Sequence, residues 1–384
     1  MQVVTPEFAQ KFECSAGACP DTCCQGWEII IDPDALDYYR SLEGALGEKV
    51  RAAICPGDEP KFRFAENGRC ILQENDGLCQ LQKTLGEQAL CRVCRTYPRF
   101  IRQYGALRET GVSLSCPEAV RLLLEDASPI RFVRSEEEYP IEPNDLEPAM
   151  FYSLLQSRTT AFSLLQDRRY DFAARLLLLL SFSERVQNCL NHRAYASVDR
   201  VCRRFSARVG RAAALQRASR RETHAAERYR LLSEWAVFFS GLEILSPQWK
   251  KLLAQLDAFC ADARENGYYR SAQCDFQRAF AAQDYVCEHI LVSTLFKYWL
   301  EASDDRILLP KVQYAVVHIL LLREINLMQW YMAGHFDMIE NAHRIARELE
   351  HNEENAAAMR SAFLHAPCFR IKNIRKIVAL SKER

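Results

Sequence analysis

Glycine is scarce in this chain, with 14 residues in 384, and the glycine-rich motifs of nucleotide-binding proteins are missing. The sequence contains neither G-x-G-x-x-G nor G-x-x-x-x-G-K-[ST], which argues against a Rossmann dinucleotide site and against a P-loop. The G-x-S-x-G nucleophile elbow of hydrolases and the H-E-x-x-H motif of zinc proteases are also absent. A function based on one of these common sites is therefore not expected.

Long apolar runs and an excess of one charge are lacking as well. No stretch of 18 apolar residues occurs, and the longest, around 176–180 and 316–322, fit buried helix faces. The 50 basic residues balance the 50 acidic ones, so no overall field favours nucleic acid or an anionic membrane as a partner. The N-terminus has neither the basic flank nor the apolar core of a secretory signal peptide. We expect a cytoplasmic protein without nucleic-acid or membrane partners.

Cysteine, in contrast, is abundant and clustered. Ten of the 16 cysteines lie in the first 116 residues, namely Cys14, Cys19, Cys23, Cys24, Cys55, Cys70, Cys79, Cys91, Cys94 and Cys116. Structural disulfides are rare in the reducing cytosol, so this clustering points to metal or redox chemistry. The remaining cysteines stand singly in helical contexts and are expected to pack as small apolar residues; they are Cys189, Cys202, Cys260, Cys274, Cys287 and Cys368.

The spacing of the clustered cysteines leaves the nature of the site open. Structural zinc usually takes paired C-x2-C knuckles, and only Cys91 and Cys94 have that spacing, while no histidine precedes His192. An iron–sulfur cluster tolerates irregular loops, because each cysteine binds a different iron. The adjacent pair Cys23-Cys24 suits one ligand and a neighbour, or two separate sites. A cofactor cluster, zinc and free buried thiols are all compatible with the spacing.

The periodicity of apolar residues predicts a mainly α protein. From about residue 149 to 384 the spacing is helical almost throughout, which predicts an all-α body of seven to nine helices. Residues 127–148, rich in proline and glutamate, are predicted to be a linker. Residues 1–126 are predicted to form a small, irregular, cysteine-rich α+β module.

Within that module the sequence marks several elements. Asp32-Pro33 and Cys116-Pro117 each predict the start of a helix, since proline is favoured in the first turn. The turn-rich stretch 55–80 predicts a hairpin that pairs the strand at Phe62 with the strand at Cys70. A second pair of strands is predicted between residues 100 and 115.

Residues 200–230 carry ten arginines and two glutamates. The arginines include Arg203, Arg204, Arg220 and Arg221. One interpretation is a solvated helical surface, and the other is an electrostatic docking surface for an acidic partner. Aromatic residues are not interleaved as they are in nucleic-acid grooves, which argues against DNA or RNA.

The cysteine motifs resemble the N-terminal region of the flagellin lysine-N-methylase family. The matching residues are Pro6-Glu-Phe, Cys14-x4-Cys19-Pro-Asp-Thr-Cys23-Cys24-Gln-Gly-Trp27, Gly77-Leu-Cys79-Gln-Leu-Gln-Lys-Thr-Leu-Gly-Glu, Cys94-Arg-Thr-Tyr-Pro-Arg and Leu114-Ser-Cys116-Pro-Glu-Ala. The same motifs are typical of cysteine-rich proteins described as zinc- or iron-chelating. The resemblance is detailed from about residue 5 to 125 and rests elsewhere on length and helical character.

The resemblance implies S-adenosylmethionine-dependent methylation of flagellin lysines in the cytoplasm, with a [4Fe–4S] cluster. The metal ligands that it implies are Cys14, Cys19, Cys23, Cys24, Cys70, Cys79, Cys94 and Cys116, with Cys91 as an addition. Arg95, Tyr97 and Arg99 are expected to contact the cofactor site. The C-x3-C-x2-C triad of radical S-adenosylmethionine enzymes is absent. The alternative is a non-catalytic adaptor whose N-terminal module is held by zinc.

Overall fold

A four-stranded sheet ties together the N-terminal third of the chain. The computed structural model describes residues 1–141, 144–219 and 225–378. The described residues form six strands in all, which are β1 (Gln2–Pro6), β2 (Ile54–Cys55), β3 (Lys61–Phe62), β4 (Arg99–Tyr104), β5 (Leu107–Val112) and β6 (Phe132–Glu136). The sheet has the order β4-β5-β1-β6, with β1 parallel to β5 and antiparallel to β6, and β2 pairs with β3 separately.

Six short helices lie in the same N-terminal part of the chain. They are α1 (Glu7–Gln10), α2 (Pro33–Ser41), α3 (Gly44–Ala52), α4 (Gln80–Leu85), α5 (Arg92–Thr96) and α6 (Pro117–Leu124). The predicted helix starts at Pro33 and Pro117 are confirmed. Asp32 caps α2 by accepting from the Ala35 amide, and its second oxygen accepts from the Arg92 amide at 2.6 Å. One carboxylate thus joins the start of α2 to the start of α5, where two of the clustered cysteines lie.

The remainder of the chain is helical, and the predicted mainly α fold with a small N-terminal α+β module is confirmed. The helices are α7 (Pro148–Leu165), α8 (Phe172–Asn191), α9 (Ala196–Ser206), α10 (Arg208–Ser219), α11 (Ala225–Ser240), α12 (Pro247–Glu265), α13 (Tyr269–Phe280), α14 (Asp284–Tyr298), α15 (Ala302–Asp305), α16 (Leu309–Ala333), α17 (Met338–Glu350), α18 (Glu353–His365) and α19 (Ile371–Val378). These thirteen helices of the described residues exceed the predicted seven to nine.

The predicted strand pairs are found in part. β4 and β5 form the second pair, with Arg99 opposite Val112 and Tyr104 opposite Leu107. The first hairpin is also found in part. Phe64 and Cys70 form an antiparallel bridge, as predicted, whereas Phe62 lies in β3, which pairs with β2.

The described residues form two large apolar cores and a small third cluster that includes Phe12 and Cys116. The larger runs through the helical body and includes residues of the sheet and of α6, such as Val4 and Val120. The smaller contains Ile29, Tyr39, Leu72 and Cys91, so the cysteine-rich segment between α1 and β4 packs around its own centre. The segment predicted as a linker contains β6, whose Phe132 stacks on Phe162 of α7 at 5.2 Å.

The single cysteines of the helical body are mostly buried, as predicted. Cys189, Cys202, Cys260, Cys287 and Cys368 are buried, whereas Cys274 is exposed. No helix among the described residues is both long and apolar enough to cross a membrane.

Candidate functional site

The fold brings together cysteines from four separate stretches of the cysteine-rich segment. Cys79 and Cys91 directly precede α4 and α5, and Cys94 lies within α5. The Cys70 amide donates to the Cys24 carbonyl at 2.8 Å, which joins the Cys23-Cys24 loop to the middle of the segment. Backbone pairing therefore places the adjacent cysteines next to thiols that lie much later in the chain.

The pKa values of these thiols depend on neighbouring thiols, which indicates that the thiols lie close to one another. Burial raises the pKa of Cys70 to about 11, and thiolates at Cys79, Cys91 and Cys23 add to this rise. The pKa of Cys94 is raised by a hydrogen bond to Cys91, by burial, and by the charges of Cys91, Cys24 and Cys79. Six thiols thus share one electrostatic environment, which we call the main cysteine group: Cys23, Cys24, Cys70, Cys79, Cys91 and Cys94.

Cys91 differs from its neighbours in favouring the thiolate. The Cys94 thiol donates to it, as do the amides of Cys94 and Val93, and together these bonds lower its pKa although it is fully buried. A thiolate is the form that binds metal. The sequence predicted Cys91 only as an addition to the eight metal ligands. Its hydrogen bonds favour the thiolate form, so Cys91 is well suited to act as a ligand.

A second, smaller group contains Cys14, Cys19 and Cys116. Burial raises the pKa of Cys116 to about 12, with contributions from Cys19 and Cys14. The pKa of Cys19 is raised by burial and also by Cys14 and Cys23, so the two groups adjoin each other at Cys19 and Cys23. All nine cysteines predicted as ligands therefore fall into two neighbouring groups.

The main cysteine group offers thiols, and the thiolate is the ligand type that an iron–sulfur cluster takes. Within the described ranges, no three His, Cys, Asp or Glu side chains are arranged to hold one ion. A cluster does not require such convergence, since each thiolate binds a different iron. The main cysteine group supplies more thiols than the four that a [4Fe–4S] cluster takes.

The three predicted cofactor contacts lie in different surroundings. Tyr97 packs against the rings of Trp27 and His351, with ring centroids 5.5 Å away in both cases. The phenol of Tyr97 lies near Cys116 and Cys23. Burial raises the pKa of Tyr97, and the charges of these two cysteines raise it further. Arg95 is exposed on α5, and Arg99 is exposed over the Phe12 ring. Tyr97 thus lies at the cysteine site, whereas the two arginines face outward.

The helical body also contributes residues to this site. Arg347 of α17 donates to the Asp21 carboxylate and to the Gln25 carbonyl, within the loop that carries Cys19, Cys23 and Cys24. His351, at the end of α17, packs on Trp27 with ring centroids 4.9 Å apart. The sequence motifs gave no signal for either residue, because both lie more than 300 positions beyond the loop that they contact.

A chain of hydrogen bonds continues from Tyr97 into the helical body. The Tyr97 hydroxyl donates to the Ser115 carbonyl at 3.0 Å, and the Ser115 hydroxyl donates to that of Ser113 at 2.9 Å. Ser113 donates to the Glu350 carboxylate at 2.8 Å, and Lys297 donates to it at 2.6 Å. Burial opposes ionisation of Glu350, yet Lys297 and Ser113 hold its pKa at about 2.

A cavity opens on the far side of Glu350. It has a volume of about 1290 Å³ including its open mouth, and Tyr298, Tyr314 and Leu349 line its inner part. The Tyr314 hydroxyl donates to Glu350 at 3.2 Å, so the polar chain from the cysteine site ends in this cavity. Asp304 and Asp305 lie at its rim.

Replacing Arg347 by methionine is expected to loosen the loop around Cys23. Loss of its two hydrogen-bonded contacts leaves the Asp21 carboxylate and the Gln25 carbonyl without their donor, at a cost of about 1–3 kcal/mol. Alkylation of the thiols, mapped by mass spectrometry, should become faster at Cys19, Cys23 and Cys24. The control is Arg278→Met, which removes an exposed pair with Asp275. Equal alkylation rates in the two variants would contradict this role of Arg347.

Comparison with known proteins places the chain in a family. Residues 158–374 match the family model of the FliB lysine N-methylase C-terminal domain. A lysine-N-methylase of Salmonella choleraesuis is 33% identical over 131 residues, which cover 32% of this chain and 33% of the relative. The flagellar biosynthetic protein FliU of Salmonella muenchen is 32% identical over 131 residues, covering 32% of this chain and 78% of the relative.

These matches differ in extent. The chain spans about a third of the length of the Salmonella choleraesuis lysine-N-methylase, and the same holds for a lysine-N-methylase of Salmonella typhimurium that is 32% identical. No solved structure matches the chain. The family model, however, covers more than half of the sequence and lies in the helical body, beyond the cysteine motifs. The chain therefore belongs to the FliB lysine N-methylase family.

Proposed function

We propose that the protein is an S-adenosylmethionine-dependent lysine N-methyltransferase that acts on flagellin in the cytoplasm and carries a [4Fe–4S] cluster. Family membership supports lysine methylation, and the name of the FliU relative supports a flagellar substrate. The main cysteine group is the observation that carries the proposal. It gathers six thiols from distant positions in a fold that needs none of them as disulfides.

The thiols of the main cysteine group would hold the cluster, with Cys91 as the donor nearest to its ionised form. An iron with an open coordination position would supply a binding point for the amino and carboxylate groups of S-adenosylmethionine. Trp27, Tyr97 and His351 form a group of aromatic rings beside Cys23. Arg347 fixes the loop to the helical body, whereas the hydrogen bond with Cys24 and burial raise the pKa of the Cys23 thiol well above its usual range.

The cavity behind Glu350 would receive the lysine side chain of the substrate. Asp304 at the rim would attract an ammonium group, whereas Asp305 is already paired with Lys311, and the apolar residues Leu349, Met359 and Phe363 line part of the wall. Removal of water from an ammonium group lowers its pKa and so favours the neutral amine that methyl transfer requires. Lys297 lines the same cavity, paired with Glu350 and close to the rings of Phe100 and Tyr298.

Anaerobic incubation with flagellin and S-adenosylmethionine, followed by intact-mass measurement of flagellin, tests this function. The wild-type protein is expected to add methyl groups. Ala356→Trp, which fills the cavity, is expected to abolish the transfer while leaving the metal content unchanged. Ala357→Trp is the matched control, because Ala357 is exposed on the same helix and does not line the cavity.

Three outcomes would contradict the proposal. Unmodified flagellin with wild-type protein would overturn the methyltransferase function, and full activity of Ala356→Trp would overturn the role of the cavity. Methyl transfer by a protein that contains stoichiometric zinc and no iron would overturn the cluster. Zinc without any transfer is the result expected for the alternative, a zinc-held adaptor.

A further inference from the structure

An arginine-rich groove lies on the helical body, in the region formed by α8, α9, α10 and α19. Its volume is about 1010 Å³ including the open mouth. Ser181, Arg185 and Asn188 come from one face of α8, Arg217 comes from α10, and Arg375 comes from α19. These five positions place three guanidinium groups around one depression.

The positive charge of the groove is only partly balanced. Arg375 donates to Glu184 at 2.5 Å and to the Ser181 hydroxyl at 3.1 Å. Arg185 and Arg217 have neither a hydrogen bond nor an ion pair with another described residue. Burial lowers the pKa of Arg185, and the neighbouring charges of Arg204 and Arg217 lower it further. The fold therefore holds unpaired cations close together although they repel one another.

Other arginines of the 200–230 segment are used differently. Arg211 and Arg228 are buried and pair with Asp167 and Glu324, so they stabilise the helical body. Arg203 pairs with Asp199 one turn away, on the exposed side of α9. Arg220 and Arg221, which the sequence analysis also assigned to a docking surface, lie outside the described residues.

We propose that this groove binds a carboxylate-rich segment of a protein partner. Guanidinium groups match carboxylates in shape and can bind them through two hydrogen bonds. An anion in the groove would relieve the repulsion between Arg185, Arg204 and Arg217. No aromatic side chain lines the groove, so the stacking surface that single-stranded nucleic acid uses is missing among the described residues. The proposal does not depend on the cluster or on methyl transfer.

Binding of a fluorescent hexaglutamate peptide at low salt, followed by anisotropy, tests the proposal. The double variant Arg185→Gln/Arg217→Gln is expected to bind the peptide roughly tenfold more weakly or worse, since hydrogen bonds to charged groups are lost. Arg203→Gln is the matched control, because it removes a neighbouring positive charge outside the groove. Added salt should weaken binding to the wild-type protein, as expected for partly exposed charges.

Several outcomes would overturn the proposal. Unchanged peptide affinity in the double variant would do so, as would an equal loss in Arg203→Gln. Tighter binding of inorganic phosphate or of a single-stranded oligonucleotide than of the peptide would exclude a protein segment as the occupant. The unfolding temperature of the double variant should equal or exceed that of the wild type, and a lower value would show that the two arginines serve the fold.

Discussion

Replacing Cys94 or Cys23 by serine is expected to abolish the binding of iron by the anaerobically purified protein, and methyl transfer with it. Cys94 shares hydrogen bonds with Cys91 and is influenced by thiolates at Cys24 and Cys79, so it lies within the main cysteine group. Cys23 contacts Cys24 and influences Cys70 and Cys79. A serine hydroxyl does not replace a thiolate as a soft ligand for iron.

Two cysteines of the helical body serve as controls for this experiment. Cys260→Ser tests the effect of changing a buried thiol in α12, and Cys274→Ser tests the effect at an exposed position. Both variants are expected to retain the wild-type content of iron and acid-labile sulfide. Equal iron content in all four variants would show that the main cysteine group does not bind the iron.

Glu350→Gln is expected to destabilise the protein by about 3–5 kcal/mol, because it leaves Lys297 as a buried charge without its partner. The side chains of Glu350 and Lys297 are 7% and 14% exposed, so water can replace little of the lost interaction. Ser113 of the N-terminal region also loses its charged acceptor. The free energy of unfolding in urea, measured for both proteins, gives the loss directly.

The pH dependence of stability provides a second measurement of the same pair. The pKa of Glu350 is about 2 in the folded protein against an ordinary value of 4.5. A lowered carboxyl pKa contributes stability that is complete above pH 4.5 and is lost as the pH falls toward 2. The wild-type protein should therefore lose more stability over this range than Glu350→Gln does.

A matched control separates this effect from the general loss of a carboxylate. Glu118→Gln removes an exposed pair with Arg121 on α6 and is expected to cost no more than about 1 kcal/mol. The double variant Lys297→Met/Glu350→Gln should recover part of the loss, because it removes the unpaired charge. A cost for Glu350→Gln as small as that for Glu118→Gln would show that the buried pair of Lys297 and Glu350 contributes little to stability.

Local signals in the sequence predicted the fold class and several elements correctly. Proline in the first turn marked the starts of α2 and α6, and the helical period identified the body. The clustering of cysteines also indicated which part of the chain carries the candidate site. Each of these features depends on residues that are close in sequence, where spacing determines geometry.

Long-range contacts were beyond the reach of such signals. Arg347 and His351 meet the cysteine loop only because α17 packs against the N-terminal region, and helical periodicity does not show which helix faces which loop. The strand β6 lies in a stretch rich in proline and glutamate and is formed through its pairing with β1. Arginines of the 200–230 segment are buried or exposed according to the partners that the fold provides. Arg211 is buried with Asp167, whereas Arg203 pairs with Asp199 at the surface.

The iron and acid-labile sulfide content of the anaerobically purified wild-type protein tests the central claim most directly. If the main cysteine group holds a [4Fe–4S] cluster, the protein should be coloured, with broad visible absorption and with iron and sulfide in equal amounts at about four of each per chain. A colourless protein with stoichiometric zinc and no sulfide would contradict the account.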